Sequence, residues 1–148
     1  MLECAGKPSW YGPCFDRPMP HTSLDAPSRA AFLAQHRRLD ALCDRVLMTF
    51  EAGDRQGRTE AWTEFDRAIT RHMDGEELRI FPSFQLVDPE AVVRLLAEHT
   101  QFRRRLAELG VATDLHLARL EEVRDLVKRL RTHLAVEKSL SYRAAVSS

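Results

Sequence analysis

Cysteine is scarce in this chain. Three cysteines, Cys4, Cys14 and Cys43, cannot all pair with one another, so no disulfide framework is expected. Long apolar runs are missing too. None approaches the ~20 residues needed to span a bilayer, and the opening Met1-Leu2-Glu3-Cys4-Ala5-Gly6-Lys7-Pro8 lacks the continuous apolar segment of a secretory signal. The expected setting is therefore the cytoplasm, with no membrane partner. Nor is one sign of charge in excess. Lysine plus arginine number 22, as do aspartate plus glutamate, which removes the general electrostatic reason to expect a nucleic acid partner. The one basic run, Arg103-Arg104-Arg105, falls on a helix whose other face is apolar and reads as a solvated surface. Sustained period-two alternation is absent as well, so strands are not expected.

A chain of 148 residues suits one domain with one core, and 44% hydrophobic with 30% charged residues fits a globular protein. Residues 1–27 differ from the rest. Pro8, Pro13, Pro18, Pro20 and Pro27 fall there with Gly6 and Gly12, which argues against regular helix. Trp10, Tyr11 and Phe15 make the stretch too aromatic for a purely solvated tail, so an irregular arm over the following domain is expected. Cys4, Cys14 and His21 match no common zinc spacing.

Residues 28–148 read as an all-α domain. A first helix is expected from about Ser28 to Ala52, capped at Ser28 or Asp25 and closed by Gly53, with the seam Phe32, His36, Leu39, Cys43, Val46, Phe50. A second runs from about Arg58 to Ile80, before Pro82, with Trp62, Phe65, Ile69, His72, Glu76 and Ile80. A third opens at Asp88-Pro89-Glu90 and is expected to close at Gly110, with Val92, Leu95, His99, Phe102, Leu106 and Leu109. The fourth lies after Asp114 and reaches about Ala144, with Val123, Leu126, Leu130, His133, Glu137 and Leu140. Four amphipathic helices with short links make an up-and-down antiparallel four-helix bundle the natural architecture.

Each seam carries one histidine, and two also carry a glutamate, in slots that belong to aliphatic residues in a plain bundle. A lone histidine on an apolar face is usually a satisfied core residue. A buried, ionised carboxylate is different, because it costs several kcal/mol unless something compensates it. Four histidines and two glutamates at such positions are most simply explained by metal, whose charge compensates the carboxylates while imidazole nitrogens coordinate it. His72 and Glu76 are four apart, as are His133 and Glu137, so each pair projects from one face a turn apart. At 1.5 Å per residue, His36 lies roughly 12 Å from the start of its helix, His72 roughly 12 Å from the end of its own, and His99 roughly 15 Å into the third. Those levels agree. His133 would stand about 10 Å too far along a helix begun at Asp114, so that helix should begin well after Asp114 or protrude.

The pieces Gln35-His36, His72-Met73-Asp74-Gly75-Glu76-Glu77, Glu98-His99 and His133-Leu134-Ala135-Val136-Glu137, with Glu76-Glu77-Leu78-Arg79-Ile80-Phe81-Pro82, resemble the hemerythrin-like or HHE domain family over about residues 28–144. The resemblance implies two non-haem irons with an oxo or hydroxo bridge. Glu76 and Glu137 would bridge them, His36 and His72 would ligate one, and His99 and His133 the other. Imidazole plus carboxylate also suits zinc or manganese.

Oxygen-carrying hemerythrins resemble this pattern but have a further histidine four residues after the one matching His99. Here that residue is Arg103. The position so freed would take water, an exogenous ligand or a side chain such as Glu77, which favours redox reactivity over reversible storage of oxygen. The expected function is binding of oxygen, nitric oxide or peroxide for sensing, stress protection or iron and oxygen homeostasis. An oxidase or peroxidase would show a substrate-sized pocket beside the metals, and a metal-free interaction module a large exposed apolar face. His116 reads as a surface residue near the start of the fourth helix.

Overall fold

The computed structural model of the chain describes residues 24–146, so the readings placed on Cys4, Cys14, His21 and most of the proline-rich stretch lie outside the described residues. The described residues form five helices and no strand: α1 (Ala26–Glu51), α2 (Arg55–Arg79), α3 (Phe81–Gln85), α4 (Pro89–Asp114) and α5 (Leu120–Val146). Asp25 caps α1 by accepting from the Ser28 N–H at 2.7 Å. Pro27 stands in the first turn, where its missing N–H would have had no partner in any case, so α1 begins two residues before Ser28. Asp54 caps α2 through Gly57 N–H at 3.0 Å, and Asp88 caps α4 through Ala91 N–H at 2.9 Å. Gly53, with φ 73°, turns the chain between α1 and α2.

Helix α2 begins at Arg55, about a turn before the expected Arg58, and the end of α4 also differs from the sequence reading. Helix α4 does not close at Gly110 but continues to Asp114. A Cβ at Gly110 would stand 3.1 Å from Trp62 Nε1, so the glycine admits a close neighbour inside the helix instead of ending it. The chain turns later, at the exposed His116, which takes the left-handed φ of 58°. Helix α5 begins at Leu120, well after Asp114 as the height of His133 required. With these ends, His99 lies roughly 22 Å from the end of α4 and His133 roughly 20 Å from the start of α5, and the mismatch in height disappears. The short helix α3 was not foreseen. It starts directly after α2, with Pro82 in its first turn, and buries Phe81, Ser83 and Phe84.

Helix α1 packs on α2 and α5, α4 packs on the same two, and α3 packs against α2, α4 and α5. Every seam residue named above is buried except Ile80, which is half-buried. Cys43 is fully buried among apolar side chains, and that burial pushes its thiol pKa up to about 12. The apolar interior is not continuous. One cluster holds Leu39, Val46, Phe65, Ile69, Phe102, Leu106, Leu126 and Leu130 among others, and a smaller one holds Phe32, Phe81, Phe84, Leu95, Leu140 and Ala144. Along α1, α4 and α5 the histidine lies between residues of the two clusters, and on α2 it lies near the end of the larger one. No helix among the described residues is long and apolar enough to cross a membrane.

Candidate metal centre

The layer between the two apolar clusters is polar and buried. His36, His72, Glu76, His99, His133 and Glu137 are all buried, the two glutamates at 2% and 0% exposure. Helix geometry brings them there. His72 and Glu76 stand one turn apart on α2, His133 and Glu137 one turn apart on α5, and α1 and α4 each supply one histidine at the same level. Every one of the six candidate residues therefore reaches the common centre.

The atoms fall into two halves that share both carboxylates. His72 Nε2 lies 3.0 Å from Glu76 Oε1 and 3.7 Å from Glu137 Oε2, while His36 Nε2 lies 3.6 and 3.4 Å from the same two oxygens. On the other side His99 Nε2 lies 3.4 Å from Glu76 Oε2 and 3.6 Å from Glu137 Oε1, and His133 Nε2 is 2.7 Å from Glu137 Oε1. Each glutamate thus turns one oxygen towards each pair of histidines. Each half offers two nitrogens and two oxygens, all within 4.8 Å of one another.

Hydrogen bonding does not account for this layer. His36 Nε2, His72 Nε2 and both oxygens of Glu76 and Glu137 are buried with no hydrogen-bond partner, although opposite groups lie close, because the contacts are too long or misdirected. His99 Nδ1 donates to Glu77 Oε1 at 2.8 Å and His133 Nδ1 to Glu98 Oε2 at 2.5 Å. In the neutral rings those protons leave bare lone pairs on the two Nε2 atoms, which face each other at 3.0 Å. Such an arrangement calls for positive charge between the rings. Donors bonded to one cation at ~2.1 Å stand roughly 3.0–3.4 Å apart in tetrahedral or octahedral surroundings, and the spacings here cluster around those values. The residues fit a pair of cations.

Protons are the other way to supply that charge. Burial alone would pull each imidazole pKa down, but the facing Glu137 and Glu76 carboxylates outweigh it and raise His72 and His99 from 6.5 to about 9. His36 is raised by the same carboxylates against the same burial, and His133 by Glu137 and Glu98. Glu137, which burial would push up, is held well below 4.5 by His133, His36, His72 and His99.

An outer set of residues orients the inner one, and most of it escaped the sequence reading. Gln35 Oε1 lies 3.5 Å from His72 Nδ1, Glu77 serves His99, and Glu98 serves His133. Each partner comes from the long helix preceding that of the histidine it touches, and each is the chain neighbour of an inner residue. That adjacency was the available signal. His36 has no such partner among the described residues. Phe81 stacks on His99 with ring centroids 5.1 Å apart, and Phe102 sets its edge on His133 at 5.2 Å, closing that side.

Glu77 does not fill the position freed by Arg103. It sits on the outer nitrogen of His99 and accepts from Arg103 Nη1 at 2.8 Å, while Arg103 Nη2 reaches Asp74 Oδ1 at 2.8 Å. Burial tends to raise the Glu77 pKa, but Arg103 and His99 together lower it. The basic run is likewise ion-paired as well as solvated, with Arg105 between Glu108 and Glu122. No curated protein and no solved structure matches the chain. The family model for the Hemerythrin HHE cation binding domain matches residues 29–145.

Proposed function

Because the chain belongs to the hemerythrin HHE cation-binding family, we propose that its four long helices form an up-and-down antiparallel bundle around two non-haem irons. In this reading it is a cytoplasmic protein that binds oxygen, nitric oxide or peroxide for sensing or stress protection. The observation that carries it is the sharing of Glu76 and Glu137, each with one oxygen toward His36 and His72 and the other toward His99 and His133. Two buried carboxylates offset the charge of a dinuclear centre that neutral imidazoles alone would leave uncompensated. The irons supply, when bound, the electrons and the open coordination that a small oxidant requires.

The protein residues do the remaining work. Glu77 and Glu98 hold the Nδ1 protons of His99 and His133, which fixes each ring with its Nε2 lone pair inward. Phe81 and Phe102 keep bulk water from that half. A groove of about 1320 Å³ between α1 and α2 has His72 and Glu76 in its wall, with Gln35, Arg38 and Arg71 beside them. Its size favours a second reading, a di-iron oxidase or peroxidase acting on an organic substrate.

Metal analysis with an absorption spectrum of freshly purified protein tests the first reading. Two irons per chain, with a spectrum that changes on anaerobic reduction and again on adding oxygen or nitric oxide, is the expected result. A protein purified and reconstituted with iron that retains none sinks it. Turnover of an organic substrate with peroxide, abolished by filling the α1–α2 groove, would favour the enzyme instead.

A further inference from the structure

The two halves of the centre have equal inner donor sets but unequal surroundings. Behind His99 and His133 stand two carboxylates, Glu77 at 2.8 Å and Glu98 at 2.5 Å. Behind His72 stands a neutral amide, Gln35, at 3.5 Å, and behind His36 there is no hydrogen-bond partner among the described residues. A carboxylate accepting the outer N–H makes an imidazole a stronger donor to metal, and losing such a partner typically costs ~10–100-fold in metal affinity.

Access is unequal in the same sense. The 1320 Å³ groove between α1 and α2 reaches His72 and Glu76. A second groove, of about 370 Å³ between α1 and α5, reaches His36 beside Lys138 and Arg131. Neither groove is lined by His99 or His133, whose faces are covered by Phe81 and Phe102.

We propose that the two metal positions exchange at different rates: the His99–His133 position retains its ion, while the His36–His72 position gives up and takes back its ion through the grooves. The proposal rests on the dinuclear reading above. Glu98 and Glu77 are then positioning residues for the retained ion, and the absence of an acid at residue 35 is what leaves the other exchangeable.

The test uses the full chain loaded with zinc, which has no redox chemistry, mixed with excess chromogenic chelator while metal release is followed in time. Two phases of equal amplitude are expected, separated by ~10-fold or more in rate. Glu98→Gln should speed the slow phase by about tenfold and leave the fast one unchanged, while Gln35→Glu should slow the fast phase. A merely structural role for residue 98 would not single out one phase, and a gain from residue 35 cannot come from misfolding. Release of two zinc ions in a single phase, or a slow phase indifferent to Glu98→Gln, overturns the proposal while the dinuclear reading stands. Saturation at one zinc per chain overturns both.

Discussion

Stripping the metal and titrating the apo protein upward from pH 6 should weaken it, and the size of the loss follows from the centre. In the apo state, protons on the histidines compensate Glu76 and Glu137. His72 and His99 carry pKa values of about 9 in the fold against an ordinary 6.5. A group with a raised folded pKa contributes stability that is complete below pH 6.5 and is lost as the pH climbs through 9. At about 1.4 kcal/mol per pH unit, one such histidine accounts for roughly 3 kcal/mol. Two do not give twice that, because both face the same two carboxylates.

For a domain of this size, ~3 kcal/mol corresponds to a drop in Tm of about 10 °C. The metal-loaded protein should behave oppositely, since coordination needs deprotonated imidazole and strengthens as pH rises. Thermal melts of apo and loaded protein at half-unit steps between pH 6 and 9.5 would show the gap widening. The lowered pKa of Glu137 adds an acid limb, with stability lost as pH falls below 4.5. An apo Tm that stays flat from pH 6.5 to 9.5, or one that falls in parallel with the loaded protein, refutes the reasoning.

Three further outcomes are expected. Glu137→Leu removes an oxygen from both halves at once, so metal content should fall towards zero by elemental analysis instead of halving; retention of one full equivalent would show that the carboxylate is not shared. Phe84→Ala empties a fully buried site against Phe32 and Phe81 and should cost ~3–5 kcal/mol in urea unfolding, whereas a cost below ~1 kcal/mol would mean that α3 packs loosely. Arg103→His sets an imidazole one turn beyond His99, so the iron-loaded variant should react more slowly with peroxide and hold oxygen longer before oxidising. Unchanged rates would place residue 103 outside the reach of the metals.

How much was legible beforehand depended on the period of the signal. The seams of all four long helices follow from steps of three and four, because burial selects for apolar side chains at that spacing and nothing else in the chain imitates it. The six inner residues were legible as violations of those seams, each a polar group in an aliphatic slot. Helix ends were harder. Gly110 looked like a stop signal because a glycine so placed usually is one, yet its role is to admit Trp62, a neighbour some fifty positions away in the chain. Helix α3 was hidden because five residues are too few to show a period. The direction of Glu77 depended on Arg103, 26 residues further on. Such contacts are set by how helices meet, which no local pattern encodes.

The polar layer also bears on cooperativity. Among the described residues it divides the apolar interior into a cluster of eighteen buried residues and one of nine. The larger draws on α1, α2, α4 and α5, whereas α2 stops just past the layer and α3 takes its place in the smaller. The described residues therefore form two packing units of unequal size, joined by the backbones of α1, α4 and α5 and by six side chains whose mutual attraction depends on what lies between them. Emptying that layer loosens the joint without touching either cluster, so the weaker unit should open first and alone. Amide hydrogen exchange would register this as early loss of protection across Phe81–Gln85 while Phe65 and Leu106 stay protected. A bound ion would thus be reported as the breathing of one end of the protein, a change that a binding partner could sense without approaching the metals.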